Sequence, residues 1–289
     1  MYIIKFKTLI LYTCILCIFI GMLAFLSIDR AAADETELAE NQRAVPIIMY
    51  HSITTPQKKT SKYVISSQQF EEDLKYIKAE GYTTITMQQL IDFVHDEADL
   101  PEKPILLSFD DGYYNNYCYA YPLLQKYQMS AVISIIGKYT DLYSENEEYN
   151  PNYSHITWDN IREMEASGLV EIQNHSYNMH TNTEGRNGTK KKKGESREVY
   201  RSTLEGDLMK LQERLAKETG KVATTFTYPF GGVSSESYEI IKNMGFEASL
   251  SCEEKMNYIT KGDTEGLYML NRYLRTNKRS VSDILRKQK

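Results

Sequence analysis

Short apolar segments alternate with segments of helical periodicity over most of the chain beyond residue 44. Pro104–Phe109 is a mostly apolar run of strand length, as expected for a strand buried on both faces. Gln68–Ala79 instead carries apolar residues at helical spacing. Strands that alternate with helices are parallel and are joined by crossover connections. We therefore predict an α/β fold in which seven or eight strand–helix units form a β/α barrel.

No internal repeat and no Pro/Gly-rich break divides these units, so we expect a single domain. In a β/α barrel, the chemistry lies where the carboxyl ends of the strands run into loops. The predicted segments, in chain order, are strand 45–50, helix 68–79, strand 83–86, helix 87–94, strand 104–109, helix 117–127, strand 131–136, helix 158–166, strand 170–173, helix 199–218, strand 223–228, helix 236–244 and strand 248–251.

The composition is that of an ordinary globular protein. Of the 289 residues, 42% are hydrophobic and 25% are charged, which argues against a disordered or low-complexity chain. The formal net charge of −5 argues against a nucleic-acid-binding protein that works through net charge. The four cysteines form no paired Cys-x-x-Cys zinc framework. The histidines are few, namely His51, His95, His155, His175 and His180.

An uncharged apolar segment, Thr8–Ile28, lies near the N-terminus. A helix rises about 1.5 Å per residue, so this segment is long enough to cross a bilayer core of roughly 30 Å. Lysines before it and acidic residues after it predict that the remainder lies outside the cytoplasm. Ala31–Ala33 would also serve as a signal-peptide cleavage site. Residues 1–33 are therefore predicted to be a signal anchor, which the length of the run favours, or a cleaved signal peptide.

The exported part is predicted to contain a polar linker, residues 34–43, and one domain, residues 44–289. Residues 185–198 differ from the rest of this domain, because Lys190–Lys193 stand among glycines. Such a composition is typical of a solvated, mobile surface loop. The alternative is a cationic flap that meets an anionic envelope polymer.

Two predicted strands end in residues suited to bind a metal ion. Strand 104–109 leads into Asp110 and Asp111, and adjacent carboxylates repel each other unless a cation or base chemistry uses them. A later strand leads into His175 and His180. Two histidines and one carboxylate form a metal site with positions left open for water and substrate. Taken singly, these patterns also fit an Asp-Gly turn and two unrelated loop histidines.

A third strand runs into the sequence FTYPFGG, residues 226–232. The proline and the glycines make a rigid bend, which could present a backbone N–H toward a developing oxyanion. An ordinary Pro-Gly turn after a strand is the alternative.

Taken together and in this order, SFDDG, the HS…H pair and YPFG resemble the motifs of the polysaccharide deacetylase family. This family is also called NodB-homology or carbohydrate esterase family 4. The opening sequence VPIIMYHS resembles the first strand of the branch that deacetylates poly-N-acetylglucosamine outside the cell. The resemblance covers residues 44–275, and it implies a distorted β/α barrel of the NodB-homology type. It also implies a metal-dependent removal of N-acetyl groups from an amino-sugar polymer.

The resemblance implies a metal site and a general base. Asp111, His175 and His180 match the family's metal ligands, and Asp110 matches its general base. The metal would lower the pKa of water and polarise the amide carbonyl, and Asp110 would take the proton of the water. A site of two imidazoles and one carboxylate suits zinc, and it also fits iron, cobalt or nickel.

The resemblance of the third motif implies substrate contacts. Phe230 matches the residue that offers its backbone N–H to the oxyanion, and Tyr228 and Pro229 match those that shape the wall. Many family members place an arginine, which orients the base, where Thr227 stands here. Arg272 is the candidate substitute for that arginine.

The chain also departs from the family at the general acid. Many members use a histidine downstream of the metal ligands, but no histidine follows His180. With His175 and His180 assigned to the metal, His51 at a predicted strand end is the candidate acid. The alternative for His51 is a structural histidine whose hydrogen bonds are satisfied.

We therefore predict an extracellular, metal-dependent deacetylase of an N-acetylglucosamine polymer, with poly-β-1,6-N-acetylglucosamine as the first candidate substrate. Peptidoglycan and chitin oligomers are the alternative substrates. An inactive, membrane-anchored glycan-binding module is a different class, which the missing arginine and downstream histidine suggest. The predicted partners are the polysaccharide and the membrane, but not nucleic acid. The sequence leaves open whether Cys118 and Cys252 pair.

Overall fold

The structure is a computed structural model, and it describes residues 39–183 and 185–287. The predicted membrane-targeting segment, residues 1–33, lies outside the described residues. Among the residues that are described, no helix is long and apolar enough to cross a membrane. The described residues from Asn41 onward belong to one compact unit, and its first strand begins at Gln42, inside the predicted linker.

The described part of the chain contains twelve strands. They are β1 Gln42–Val45, β2 Ile47–Tyr50, β3 Ser52–Thr54, β4 Val64–Ser66, β5 Thr83–Ile85, β6 Pro104–Phe109, β7 Ala131–Ile135, β8 Val170–Asn174, β9 Thr225–Thr227, β10 Ala248–Leu250, β11 Asn257–Thr260 and β12 Tyr273–Leu274.

Eight α-helices lie among these strands in the described residues. They are α1 Ser67–Ala79, α2 Met87–Val94, α3 Tyr121–Tyr127, α4 Gly137–Asn146, α5 Trp158–Ala166, α6 Arg197–Thr219, α7 Ser235–Asn243 and α8 Val281–Leu285. Shorter helical turns are the π-helical Asn116–Ala120 and the 3-10 turns Pro229–Gly231 and Thr264–Leu267.

The main sheet is parallel and has eight strands. Its order is β10-β9-β8-β7-β6-β2-β12, and β5 pairs with β6 as well. One edge of β6 is shared, because β5 pairs along residues 104–106 and β7 along residues 108–109. At the far edge, Leu250 of β10 forms an isolated parallel bridge with Leu270, just before β12. The predicted α/β fold is confirmed, with a curled parallel half-barrel as its sheet.

Strand β6 explains how the core is divided. Its residues are all buried, as the apolar run predicts. Ile105, Leu107 and Phe109 belong to one hydrophobic cluster, whereas Leu106 belongs to the second. Successive side chains of a strand point to opposite faces, so β6 contributes to the core on both sides of the sheet.

Several helices begin directly after a polar residue that caps their first turn. Ser66, the last residue of β4, accepts a hydrogen bond from the backbone N–H of Gln69, whose side chain in turn accepts one from the N–H of Ser66. The same reciprocal capping box starts α2 at Thr86 and α5 at Thr157. These local signals explain why the predicted helix starts agree with the structure to within a few residues.

Candidate active site

The carboxyl ends of β6 and β8 place the motif residues at one edge of the sheet. Asp110 and Asp111 follow β6, and His175 follows β8, with only β7 between the two strands. The backbone N–H of Asp110 donates to the carbonyl of Tyr50, 3.0 Å away, which ties the motif to β2. Asp111 has a φ of 72°, in the left-handed region, so the chain turns sharply directly after the strand.

Asp111, His175 and His180 form a group with the residue types and spacing of a metal site. Each offers one ligand atom, and these atoms lie within 4.8 Å of one another. The Nε2 atoms of His180 and His175 lie 3.1 Å and 3.6 Å from Oδ1 of Asp111. Although both rings approach it, this buried oxygen accepts no hydrogen bond from any residue that the structure describes. A buried carboxylate oxygen without a donor is costly unless a cation lies beside it.

The tautomer of His175 also fits a metal ion. Its Nδ1 lies 2.8 Å from the backbone carbonyl of Thr227. A carbonyl oxygen only accepts, so Nδ1 carries a proton, and when the ring is neutral its Nε2 has a free lone pair. That lone pair faces the carboxylate of Asp111. Metal-binding histidines are oriented by such a hydrogen bond from their other nitrogen, so the three residues suit a divalent metal ion.

Arg272 forms two hydrogen bonds with the carboxylate of Asp110. Its fully buried guanidinium donates from Nη1 to Oδ1 at 2.6 Å and from Nη2 to Oδ2 at 3.0 Å. Nε donates to the carbonyl of Ser251 at 2.7 Å, which fixes the plane of the group. Burial alone would raise the pKa of Asp110, but the charged guanidinium of Arg272 beside it is the largest influence that holds this pKa below its usual value. The carboxylate is therefore ionised and held in one orientation.

His51 lies on the other side of Asp110. Its Nε2 is 3.9 Å from Oδ2 of Asp110, and its ring centroid is 4.8 Å from that of Tyr63. Nδ1 is buried and has no hydrogen-bond partner among the described residues, so the ring lacks the satisfied hydrogen bonds of a purely structural histidine. Burial is the main influence on the pKa of His51 and lowers it, despite the attraction of Asp110.

One cavity of about 720 Å³ is lined by His51, Asp110, Asp111, His175 and His180, whereas the fully buried Arg272 does not line it. Several of its lining residues were not predicted from the sequence. Tyr113 follows the SFDDG motif, and Cys252 and Glu254 follow β10, so the rule that chemistry lies at strand carboxyl ends applies to all three. Lys62 and Tyr63 come from the β3–β4 connection, for which the sequence contains no comparable signal.

The third motif reaches the cavity through Phe230 alone. The half-exposed ring of Phe230 lines the cavity and lies 4.2 Å from the ring of His180, centroid to centroid. Tyr228 and Pro229, predicted to shape the wall, are buried and do not line the cavity. Tyr228 instead packs in the core, 4.8 Å from the ring of Phe226. The wall prediction is therefore corrected for these two residues, because Tyr228 precedes the turn and Pro229 begins it in a buried position, and only Phe230 is exposed at the cavity.

The two cysteines that the sequence left open are both free in the structure. Cys118 is half-buried beside α3, and Cys252 lies at the cavity. His95 and His155, which received no predicted role, are not members of the metal-type group. His95 pairs with Glu247, and His155 stacks on tyrosine rings.

The sequence profile of the family described as polysaccharide deacetylase matches residues 97–249, more than half of the chain. The chain belongs to the polysaccharide deacetylase family. The resemblance inferred from the motifs is thereby confirmed. The matched region of this deacetylase-family chain contains Asp110, Asp111 and both histidines of the metal-type group. His51 and Arg272 lie outside it.

Curated relatives are similar to this chain over part of their own length. The poly-beta-1,6-N-acetyl-D-glucosamine N-deacetylase of Staphylococcus aureus (strain MRSA252) is 28% identical over 198 residues, which is 68% of this chain and 64% of that protein. The protein of the same name from Escherichia coli (strain K12) is 23% identical over 224 residues, 71% of this chain and 33% of that protein. The chain thus matches somewhat less than two thirds of the staphylococcal relative.

Solved structures agree with the fold of the deacetylase family. A de-N-acetylase from Aggregatibacter actinomycetemcomitans superposes with a TM-score of 0.71 at 27% identity, covering 84% of this chain and 99% of that one. IcaB from Ammonifex degensii superposes with a TM-score of 0.68 at 24% identity, covering 81% and 93%. The latter identity is low, and that likeness concerns the fold.

Proposed function

We propose that the protein is a metal-dependent N-deacetylase of poly-β-1,6-N-acetyl-D-glucosamine that works outside the cytoplasm. One observation carries the proposal: a carboxylate held by Arg272 lies in the same cavity as the Asp111–His175–His180 group. The names of the staphylococcal and Escherichia coli relatives support the choice of polymer.

Asp111, His175 and His180 would hold the metal ion, and zinc is the first candidate for these ligands. When bound, such an ion lowers the pKa of water and polarises the amide carbonyl of the substrate. The Thr227 carbonyl keeps the proton of His175 on Nδ1, so that Nε2 stays available as a ligand.

Asp110 is the proposed general base. Its ionised carboxylate lines the cavity, and Arg272 fixes its orientation through two hydrogen bonds. Because Arg272 keeps the pKa of Asp110 low, the carboxylate is a weak base toward ordinary water. It can take the proton efficiently only from a water molecule that has been made more acidic, which agrees with the adjacent metal-type group.

His51 is the proposed source of the proton for the leaving amine. Burial keeps its pKa low, so the resting imidazole is neutral near pH 7 and needs a proton before it can act as an acid. Asp110 lies 3.9 Å away and could pass on the proton taken from water. The backbone N–H of Phe230, at the cavity wall, is the proposed oxyanion donor.

Acetate release from a panel of substrates tests the proposal. The panel contains β-1,6-linked N-acetylglucosamine oligomers, chitin oligomers and peptidoglycan, each with the purified zinc-loaded protein. We expect the highest kcat/KM on the β-1,6-linked oligomers and loss of activity on chelation. Faster turnover of peptidoglycan or chitin oligomers would support those alternative substrates instead. No metal-dependent acetate release from any of them would leave the glycan-binding alternative.

Asp110→Asn is the control for the chemistry in this assay. It keeps the shape of the side chain but removes the base, so we expect turnover to fall by about 10²-fold to 10⁴-fold. Zinc binding, measured by calorimetry, should remain, because Asp110 is not among the three proposed ligands. Wild-type turnover by this variant would show that Asp110 is not the base.

The N-terminal segment remains part of the proposal. Residues 1–33 would hold the protein at the outer face of the membrane or would be removed during export. Membrane fractionation and N-terminal sequencing of the mature protein distinguish these two outcomes. A full-length protein recovered from the cytoplasm would contradict both.

A further inference from the structure

Phe230 occupies an unfavourable turn beside the candidate active site. Its φ of 55° lies in the left-handed region, which is uncommon for a residue other than glycine. Holding such a conformation has a free-energy cost, so the surrounding structure must stabilise it. The turn matters for the site, because the Phe230 ring contacts the ring of His180.

The segment 187–191, within the lysine-rich loop, packs against this turn. Gly188 is buried, and a Cβ atom added there would lie 2.4 Å from the carbonyl oxygen of Pro229. The hydroxyl of Thr189 donates to the carbonyl of Gly232 at 3.2 Å. The loop and the turn are therefore in direct contact on both sides of Phe230, at Pro229 and at Gly232.

Gly188 also contacts the chain next to His180. Its backbone N–H donates to the carbonyl of Thr181 at 2.9 Å. Gly188 has a φ of 56°, so glycine suits this position on conformational grounds as well. A single glycine thus lies between the residue after His180 and the residue before Phe230.

The loop around Gly188 is fastened by buried polar contacts. Arg186 forms an ion pair with Glu195 and donates to the carbonyl of Lys190 at 3.1 Å. The hydroxyl of Tyr200, on α6, donates to the carbonyl of Thr189 at 2.7 Å. Both arginine and tyrosine are buried. The two Arg186 contacts brace the loop internally, whereas the Tyr200 bond ties Thr189 to α6, so Thr189 cannot move away from α6 without breaking it.

We propose that Gly188 is a positioning residue that sets the spacing between His180 and Phe230. The segment 187–191 acts as a spacer between the chain at His180 and the turn at Phe230. Gly188 is the residue of this segment that comes closest to the turn. The effect on turnover rests on the proposed deacetylase function. The effect on the surroundings of His180 does not depend on that function.

Gly188→Ala tests the spacer, and Gly194→Ala is its matched control. The two glycines belong to the same loop and have positive φ values of 56° and 78°. A Cβ atom at Gly194 would meet nothing within 4 Å, whereas one at Gly188 would collide with Pro229. Both variants therefore carry the left-handed backbone penalty, but only Gly188→Ala forces the turn and the loop apart.

The first measurement is NMR of the metal-free protein with ¹³C-labelled histidine. Only five histidines contribute signals, and the His180→Asn variant assigns the one of interest. We expect Gly188→Ala to shift the His180 ring signals, since the ring current of Phe230 acts on them. The signals in Gly194→Ala should stay where they are in the wild type.

The second measurement is steady-state acetate release. Gly188→Ala should lower kcat by about 10-fold to 100-fold, as small misplacements of reacting groups do. KM should change by less than about 3-fold, because ground-state binding of the polymer is not altered. Gly194→Ala should leave both constants unchanged.

Unshifted His180 signals in folded Gly188→Ala would overturn the proposal, and so would equal losses of kcat in both variants. If Gly188→Ala does not fold, Thr189→Val removes one hydrogen bond between loop and turn and should still shift the His180 signals; unshifted signals there would also overturn it. If the wild-type protein releases no acetate, the proposed function fails, while the NMR comparison still decides the role of Gly188.

Discussion

Arg272 donates two hydrogen bonds to Asp110, although 162 positions separate the two residues in the chain. A planar guanidinium that binds both oxygens restricts the carboxylate to one orientation and keeps it ionised. The proposed roles of His175 and His51 also depend on a neighbouring group. The partner of His175 is the Thr227 carbonyl, and that of His51 is Asp110 itself.

Arg272→Lys should weaken the base without removing the positive charge. A lysine ammonium cannot form the two parallel hydrogen bonds of the guanidinium, so the Asp110 carboxylate gains freedom to rotate. A hydrogen bond to a charged group contributes about 1.5–3 kcal/mol, so we expect kcat to fall by about 10-fold to 100-fold. The measurement is kcat for acetate release at saturating substrate.

Arg162→Lys is the control, because Arg162 forms exposed ion pairs with Asp159 and Glu218 away from the cavity. Exposed pairs contribute little, so its kcat should equal that of the wild type. Equal activity of Arg272→Lys and the wild type would show that the two hydrogen bonds from Arg272 do not orient the base.

His51→Ala should lower turnover and leave zinc affinity unchanged. General acid catalysis contributes about 10²-fold to 10⁴-fold, and His51 is not one of the three proposed ligands. The comparison is with His95→Ala, an exposed histidine that pairs with Glu247. Turnover by His51→Ala at the level of His95→Ala would return His51 to a structural role.

At the scale of elements, the two-residue strand β12 is held by more than its sheet pairing. Arg275 directly follows it, and its Nε and Nη2 donate to the two carboxylate oxygens of Asp73 on α1, at 2.7 Å and 3.1 Å. Asp73 also accepts from the hydroxyl of Tyr50 and from the N–H of Val281. This buried network joins β2, α1, α8 and the end of β12, and β12 begins next to Arg272.

Arg275→Met should destabilise the fold, because it leaves Asp73 buried without a counter-charge. Breaking a buried ion pair by removing one partner costs about 3–5 kcal/mol. Urea unfolding measures the change in the free energy of unfolding. The double variant Asp73→Asn/Arg275→Met should recover part of the loss, since no uncompensated charge remains. A single variant as stable as the wild type would mean that the network does not anchor β12.

The elements themselves follow the sequence closely where their signals are local. Helix α1, which opens with a capping box at Ser66, agrees with the periodicity of the sequence, whereas α8, which opens with one at Ser280, was not predicted. Helix α4 was missed, since Gly137 begins it and its remaining residues are mostly polar. A Cβ at Gly137 would lie 2.7 Å from the ring of Tyr177, so a tertiary contact explains this glycine at a helix start.

At the scale of the whole molecule, the proposed ligands come from two separate parts of the chain that only the folded sheet brings together. A metal ion should therefore bind the folded state and stabilise it by mass action. We expect zinc at about 100 times its Kd to add about 2.7 kcal/mol to the free energy of unfolding, and EDTA to reverse this gain. Scanning calorimetry with and without zinc measures the effect.

The variant His175→Ala/His180→Ala is the control for that measurement, because it keeps the fold but lacks two of the three ligands. Its Tm should not respond to zinc. If zinc does not raise the Tm of the wild type either, the proposed metal site is contradicted, independently of any substrate.

The sequence by itself determined the fold class, the family and the order of the motifs. These depend on local patterns, namely strand-length apolar runs, helical periodicity and residues directly after strand ends. Asp110, Asp111 and His175 could be found in this way, because the carboxyl ends of parallel strands share one edge of a sheet.

Only the tertiary structure decided which distant residues complete the site. Arg272 reaches Asp110 because the sheet curls and places the segment 270–274 between β10 and β2. Gly188 contacts Pro229 because its loop packs against the turn that follows β9. Such contacts depend on strand order and on side-chain packing between segments far apart in the chain, and no local pattern of residues encodes them.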